Sequence, residues 1–152
     1  MGVTAGINPA LAGRVYPPSP VYEVSREKIA EFATAMGSDD PAHIDPAAAR
    51  ALGHPDVVAP PTFAVIIAQR AEAQVFADPA SGVDFSRLVH GEERFVHHRP
   101  IVCGDRLTAT LHVETAREVG GHGMLTTRVE IADAGGAPVS TVKSMVVIRG
   151  GE

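Results

Sequence analysis

Midway through its first half the chain reads Gly37-Ser38-Asp39-Asp40-Pro41-Ala42-His43-Ile44-Asp45. Four hydroxyl or carboxylate side chains crowd around one imidazole here. An imidazole set among carboxylates is a group that can accept and return a proton near neutral pH. The same residue types also suit helix ends, where Ser and Asp oxygens accept from orphan backbone N–H groups. Capping accounts for Asp45. It does not account for His43, which stands between the apolar Ala42 and Ile44. On these residues alone a capping role and a proton-transfer role both stay open.

Other residues with reactive side chains have plainer readings. His97 and His98 are consecutive, so on a strand they point to opposite faces and make a poor metal pair. The chain has seven histidines and one cysteine, without zinc-type spacing, and no metal or cofactor is expected. Cys103 beside Gly104 suits a small packed residue better than a nucleophile. Gly121-x-Gly123 lacks the rest of a dinucleotide fingerprint. Glu92-Glu93-Arg94 is expected to be a solvated strand edge, and His90 before Gly91 a turn histidine.

The elements that must position the Gly37–Asp45 segment emerge from periodicity. Val21–Val24 reads as a short strand. Ser25 then caps a helix whose apolar residues Ile29, Phe32, Ala33 and Met36 fall at helical spacing, and Gly37 ends it. Asp45-Pro46 opens a short second helix that Gly53 stops. A third runs from Pro60-Pro61-Thr62 to about Phe76. Its stretch Phe63–Ala68 is apolar on every side, which predicts burial all round. Strands are predicted over Glu92–His98, Arg106–Glu118, Leu125–Asp133 and Val139–Ile148, with turns at Gly120–Gly123 and Asp133–Gly136. Leu107, Ala109, Leu111 and Val113 alternate with polar residues, as a half-buried strand requires. Helices first and an antiparallel meander second make an α+β arrangement. One buried helix with about five strands points to a sheet wrapped around a central helix, the hot-dog architecture, in a single domain over residues 1–152.

Composition excludes several classes. Hydrophobic residues make up 45% and charged residues 20%, a globular balance. A net charge of −5 argues against nucleic acid as a partner. One cysteine allows no internal disulfide. Met1–Gly13 has no charged-then-apolar leader pattern, and Phe63–Ala68 falls far short of the ~20 apolar residues of a membrane span. No membrane association is expected, and the expected location is the cytoplasm. The first 20 residues, with Pro9, Pro17, Pro18 and Pro20, are predicted to lie along the surface.

Gly37 through Asp45 resembles the signature Gly-Asp-x-Asn-Pro-x-His-x-Asp of the MaoC-like (R)-specific enoyl-thioester hydratases and dehydratases. Gly37, Pro41, His43 and Asp45 match it. Tyr22-Glu23-Val24, Arg26-Glu27-Lys28-Ile29, Ala59-Pro60-Pro61-Thr62-Phe63, Val89-His90-Gly91-Glu92, Arg99-Pro100-Ile101 and Gly104-Asp105-Arg106-Leu107 resemble, in order, blocks of the subfamily called the N-terminal MaoC dehydratase domain. The resemblance implies a hot-dog subunit acting on acyl-CoA or acyl carrier protein (ACP) thioesters. It implies that an Asp and a His hold one water or hydroxyl between them while an Asn orients the Asp. It also implies that the thioester oxygen sits at the start of the central helix, where orphan N–H groups favour negative charge.

The departures from that pattern shape the expectation. The catalytic Asp position is Ser38 and the Asn position is Asp40. Asp39 is displaced by one residue. Pro60-Pro61 replaces His-Gly at the central helix start, and Pro61 has no N–H. The candidate catalytic set is therefore His43 with Asp40, Asp39 or Ser38. The candidate substrate-binding set is Pro60, Thr62, Phe63, Ala68, His90 and Gly91. Ala64, Ile67, Ala68 and Ala71 form a small-residue face that suits either an acyl tail or close helix packing. Two roles are open: a self-sufficient dehydratase, or a substrate-holding subunit paired with an intact sister chain, as relatives in long-chain fatty acid elongation pair. A homodimer or a heterodimer with a second MaoC-like chain is expected. The alternative is a non-catalytic acyl-thioester binding or assembly protein on the same fold.

Overall fold

Alternation along one strand sets the architecture. In the computed structural model, which describes residues 6–151, Leu107, Ala109, Leu111 and Val113 of β3 (Arg106–Val119) are all buried, while Thr108, Thr110 and His112 between them are half-exposed. Fully burying one Leu contributes roughly 1.5–3 kcal/mol, against about 1 kcal/mol for a helix cap. The inner face therefore decides where the strand lies, and caps trim the ends. The turn at Gly120-Gly121, both with positive φ, leads into β4 (His122–Ala132), and β5 (Pro138–Ile148) comes next. β1 (Tyr22–Glu23) and β2 (Leu88–His97) complete an antiparallel sheet in the order β1-β3-β4-β5-β2. The sheet curls around α3 (Ala64–Ala77), giving the expected hot-dog fold.

α1 (Arg26–Ala35) begins at Ser25, whose hydroxyl accepts from the Lys28 N–H at 3.1 Å, and ends before Gly37 at φ +72°. Ile29 and Ala33 are buried as predicted, but Met36 lies beyond the last turn and is 52% exposed. α2 (Pro46–Ala51) begins at Asp45, whose carboxylate accepts from the Ala47 N–H at 2.9 Å. Phe63 is fully buried. It meets Phe32 edge-on at 5.5 Å and Tyr22 at 6.4 Å, which locks the start of α3 against α1 and β1.

Two expectations need correction. α3 is not buried all round: Ala64, Ile67, Ala68, Ala71 and Val75 pack into the sheet, but Val65 and Ile66 are half-exposed and Gln69 and Arg70 exposed. The face at Ala64, Ile67, Ala68 and Ala71 lies wholly within the packed core. The amino-terminal segment is not simply superficial. Tyr16 and Ser19 donate their N–H groups to Leu111 and Ala109 carbonyls on the edge of β3, and Leu11 and Tyr16 enter the core. Of the Met1–Gly13 leader reading, residues 1–5 lie outside the described residues.

β2 also departs from expectation. It begins at Leu88, and its register against β5 shifts between His90 and Glu92. A Cβ on Gly91 would lie 2.6 Å from Met145 Cε, so a larger residue here would have to push the end of that flexible side chain aside. The extra residue changes which side chains face inward. Glu92 and Arg94 are exposed, whereas Glu93 turns in and its Oε1 is buried. Only part of Glu92-Glu93-Arg94 is therefore a solvated edge.

Candidate functional site

Asp40 caps a single 3-10 turn, Pro41–His43, and its carboxylate accepts from the Ala42 N–H at 3.0 Å. That turn carries His43 inward to 9% exposure. Its floor is the extended stretch Val57–Ala59, which Pro60 holds away from helical geometry. Val58 donates to the Ala42 carbonyl at 3.1 Å, Ala59 to Ile101 at 2.8 Å, and Cys103 to Val57 at 3.0 Å. The Arg26 guanidinium grips the Asp56 carboxylate at 3.0 and 2.8 Å and ties this stretch to α1. That pair, with the Val57 N–H, holds the Asp56 carboxyl down at about 2.

His43 Nδ1 lies 2.6 Å from the Val58 carbonyl oxygen. A carbonyl only accepts, so Nδ1 carries the hydrogen and Nε2 is the basic nitrogen. His43 lines a cleft of about 500 Å³ together with His54, Val58, Pro60, His97, His98 and Arg99, among others. His97 is fixed there by Ser140, whose hydroxyl lies 2.8 Å from Nδ1, and by stacking on Phe95. Arg99 is braced by Asp105 at 2.8 and 3.1 Å.

The cleft brings together two of the sequence-predicted site residues, His43 and Pro60. Ser38, Asp39 and Asp40 are not among its lining. The Ser38 hydroxyl accepts from the Asp40 N–H at 3.5 Å, Asp39 is exposed, and Asp40 is engaged by its own turn. Thr62 stands beside α1, its hydroxyl 3.3 Å from Met36 Sδ, and Phe63 and Ala68 lie in the core. At this helix end Pro61 has no N–H, and that of Phe63 is taken by the Pro60 carbonyl. His90 is exposed on β2, and Gly91 answers to the register shift against Met145. No group of three or more metal-ligating side chains assembles among the described residues.

Sequence reasoning missed His54, His97 and His98. His97 and His98 do point to different partners, Ser140 and Thr141, yet both border the cleft because it wraps the end of β2. The signal lay in their position just before Arg99-Pro100-Ile101. Among the described residues, no carboxylate lines the cleft. It can accept a proton at His43, but the anionic half of an acid–base pair is missing from its lining.

A family profile described as FAS1-like, dehydratase domain region, matches residues 10–142. A UPF0336 protein of Saccharopolyspora erythraea is 50% identical over 144 residues, covering 95% of this chain and 92% of that protein. A solved structure described as a MaoC-like dehydratase superposes with a TM-score of 0.83 at 35% identity, over 92% of this chain and 42% of that one. A C-terminally truncated HadBC complex from Mycobacterium tuberculosis, a (3R)-hydroxyacyl-ACP dehydratase, superposes with a TM-score of 0.79 at 31% identity, over 90% of this chain and 96% of that one. No helix among the described residues is long and apolar enough to cross a membrane.

Proposed function

Because the chain belongs to the FAS1-like dehydratase-domain family and has the MaoC-like hot-dog fold, we propose that it is one subunit of a 3-hydroxyacyl-thioester dehydratase, or (R)-specific enoyl-thioester hydratase. In this reading the chain holds the acyl-CoA or acyl-ACP thioester, and a second MaoC-like chain with a complete motif supplies the chemistry.

The reaction removes a proton from C2 of the thioester and returns a proton to the hydroxyl leaving C3, so that water departs and a double bond remains. Addition of water reverses each step. One group must accept a proton and another must hold and orient the water. The observation that carries the proposal is the pairing of His43 with a cleft that, among the described residues, no carboxylate lines. A serine hydroxyl at position 38 does not replace the missing carboxylate without an activating base. β2 supports the same reading: it is an outer strand whose far edge pairs with no strand among the described residues, and such edges invite another chain. The (3R)-hydroxyacyl-ACP dehydratase that this chain resembles at 31% identity is itself a complex.

The test is hydration of crotonyl thioester, monitored by loss of the enoyl absorbance. The chain alone should be slow, and adding a MaoC-like chain with a complete motif should raise the rate by ~10²-fold or more. Full activity of the chain alone, abolished by His43→Ala, would keep the site and overturn the partner-dependent role. Tight acyl-thioester binding without activity in any pairing would favour the non-catalytic binding protein.

A further inference from the structure

Glu72 stands in the middle of α3 with its side chain turned into the sheet, 2% exposed. Its Oε1 lies 2.8 Å from the Ser144 hydroxyl on β5 and 3.3 Å from the Thr127 hydroxyl on β4. Ser144 also hydrogen-bonds Oε2 of Glu93, its register partner on β2. Oε2 of Glu72 and Oε1 of Glu93 are buried without partners.

Counting hydrogens decides the protonation of this group. A serine hydroxyl has one hydrogen to donate and lone pairs with which to accept, and an ionised carboxylate only accepts. Ser144 touches two carboxyl groups, so its single hydrogen serves one of them. The other contact is a hydrogen bond only if that carboxyl carries its own O–H and donates to Ser144 Oγ. The Thr127 hydroxyl reaches Glu72 and does not relieve Glu93. Two anions on one hydroxyl, shielded from water, would repel each other.

We propose that Glu72, Ser144 and Glu93 form a buried proton-binding site, in which two carboxyl groups share one proton and thereby fasten the outer strand β2 to the central helix. Glu72 is the holder. Burial first, and then the Glu93 charge, raise its carboxyl above the ordinary range, while the Ser144 and Thr127 hydroxyls oppose the shift. His90 on β2 also opposes it, since its cationic form favours an ionised Glu72. A neutral carboxyl also leaves an unpaired carbonyl oxygen at Oε2 rather than an unpaired anion, the less costly orphan. Since the folded value lies above the unfolded 4.5, the contribution to stability is complete below 4.5 and is lost as pH rises through the folded value.

The test uses the full chain labelled with ¹³C at the glutamate carboxyls and titrated by NMR from about pH 4 to 9. One glutamate resonance should titrate above the ordinary carboxyl range, and it should be missing in Glu72→Gln. If every glutamate titrates in the ordinary range, the proposal fails. Should Glu72→Gln not fold, Glu93→Gln decides. Removing the neighbouring charge must then lower the midpoint of the perturbed resonance, and an unmoved midpoint overturns the shared site.

Discussion

Asp40 Oδ1 accepts from the Ala42 N–H at 3.0 Å, two residues on, and this contact shapes the turn that delivers His43. The carboxylate three residues before the imidazole thus serves as a cap. Asn caps about as well as Asp, so Asp40→Asn should leave the turn intact. It would also restore an amide where the family motif has one. Combined with Ser38→Asp, it should raise crotonyl-thioester hydration by the isolated chain by ~10²-fold, because in the proposed reading a carboxylate partner for His43 is what is missing. Ser38→Asp alone should gain less, since two adjacent carboxylates repel. Adding His43→Ala should erase the gain. A double variant as slow as its parent would place the missing group elsewhere.

Ala68 tests whether the inner face of α3 receives an acyl tail. It is fully buried, packed in the core with Ile67 and Ala71. Ala68→Phe should therefore act as overpacking and lower stability by ~1–3 kcal/mol. A urea melt measures the loss, and binding of short and long acyl thioesters should weaken alike. Selective loss of long chains would instead mean that the core opens there for substrate.

These two sites show how unevenly the sequence speaks. Ser25, Gly37, Asp45 and Gly53 act within a few residues of themselves, so local rules place them. The alternation from Leu107 to Val113 repeats enough times to place β3. The cleft is different: His43, Pro60 and His97 come from three segments that meet only when β2 lies beside the start of α3. No local period encodes that meeting. Glu93 escapes a local reading because the register shift at Gly91 changes which residues of β2 face inward. A strand pattern carried across such a shift assigns the wrong face to the residues beyond it.

The outer strand β2 should mediate assembly. Val89 and Val96 on it are 44% and 57% exposed, and its far edge pairs with no strand among the described residues. Light scattering at micromolar concentration should show a species larger than a monomer. Val89→Lys with Val96→Lys should weaken that association at least tenfold, about 1.4 kcal/mol, without lowering the urea midpoint of the monomer. A monomeric parent would overturn the edge as an interface.

The last prediction concerns acid. Asp56 is held at about 2, from an ordinary 3.8, first by the Arg26 guanidinium and then by the Val57 N–H. A carboxyl whose folded value is depressed stabilises the fold above its unfolded value. That stability is lost as pH falls through the folded one. The contribution of this pair should therefore be complete above about pH 4 and decline toward about pH 2. Asp56→Asn keeps an oxygen for the Val57 N–H but removes the charge that grips Arg26. Its urea midpoint should fall below the parent's at neutral pH, and the gap should narrow as the solution is acidified over that window. A gap that stays constant would assign the loss to packing rather than charge. Because Val57–Ala59 forms the floor under His43, the same substitution should also weaken acyl-thioester binding at neutral pH, measured by calorimetry with the folded variant.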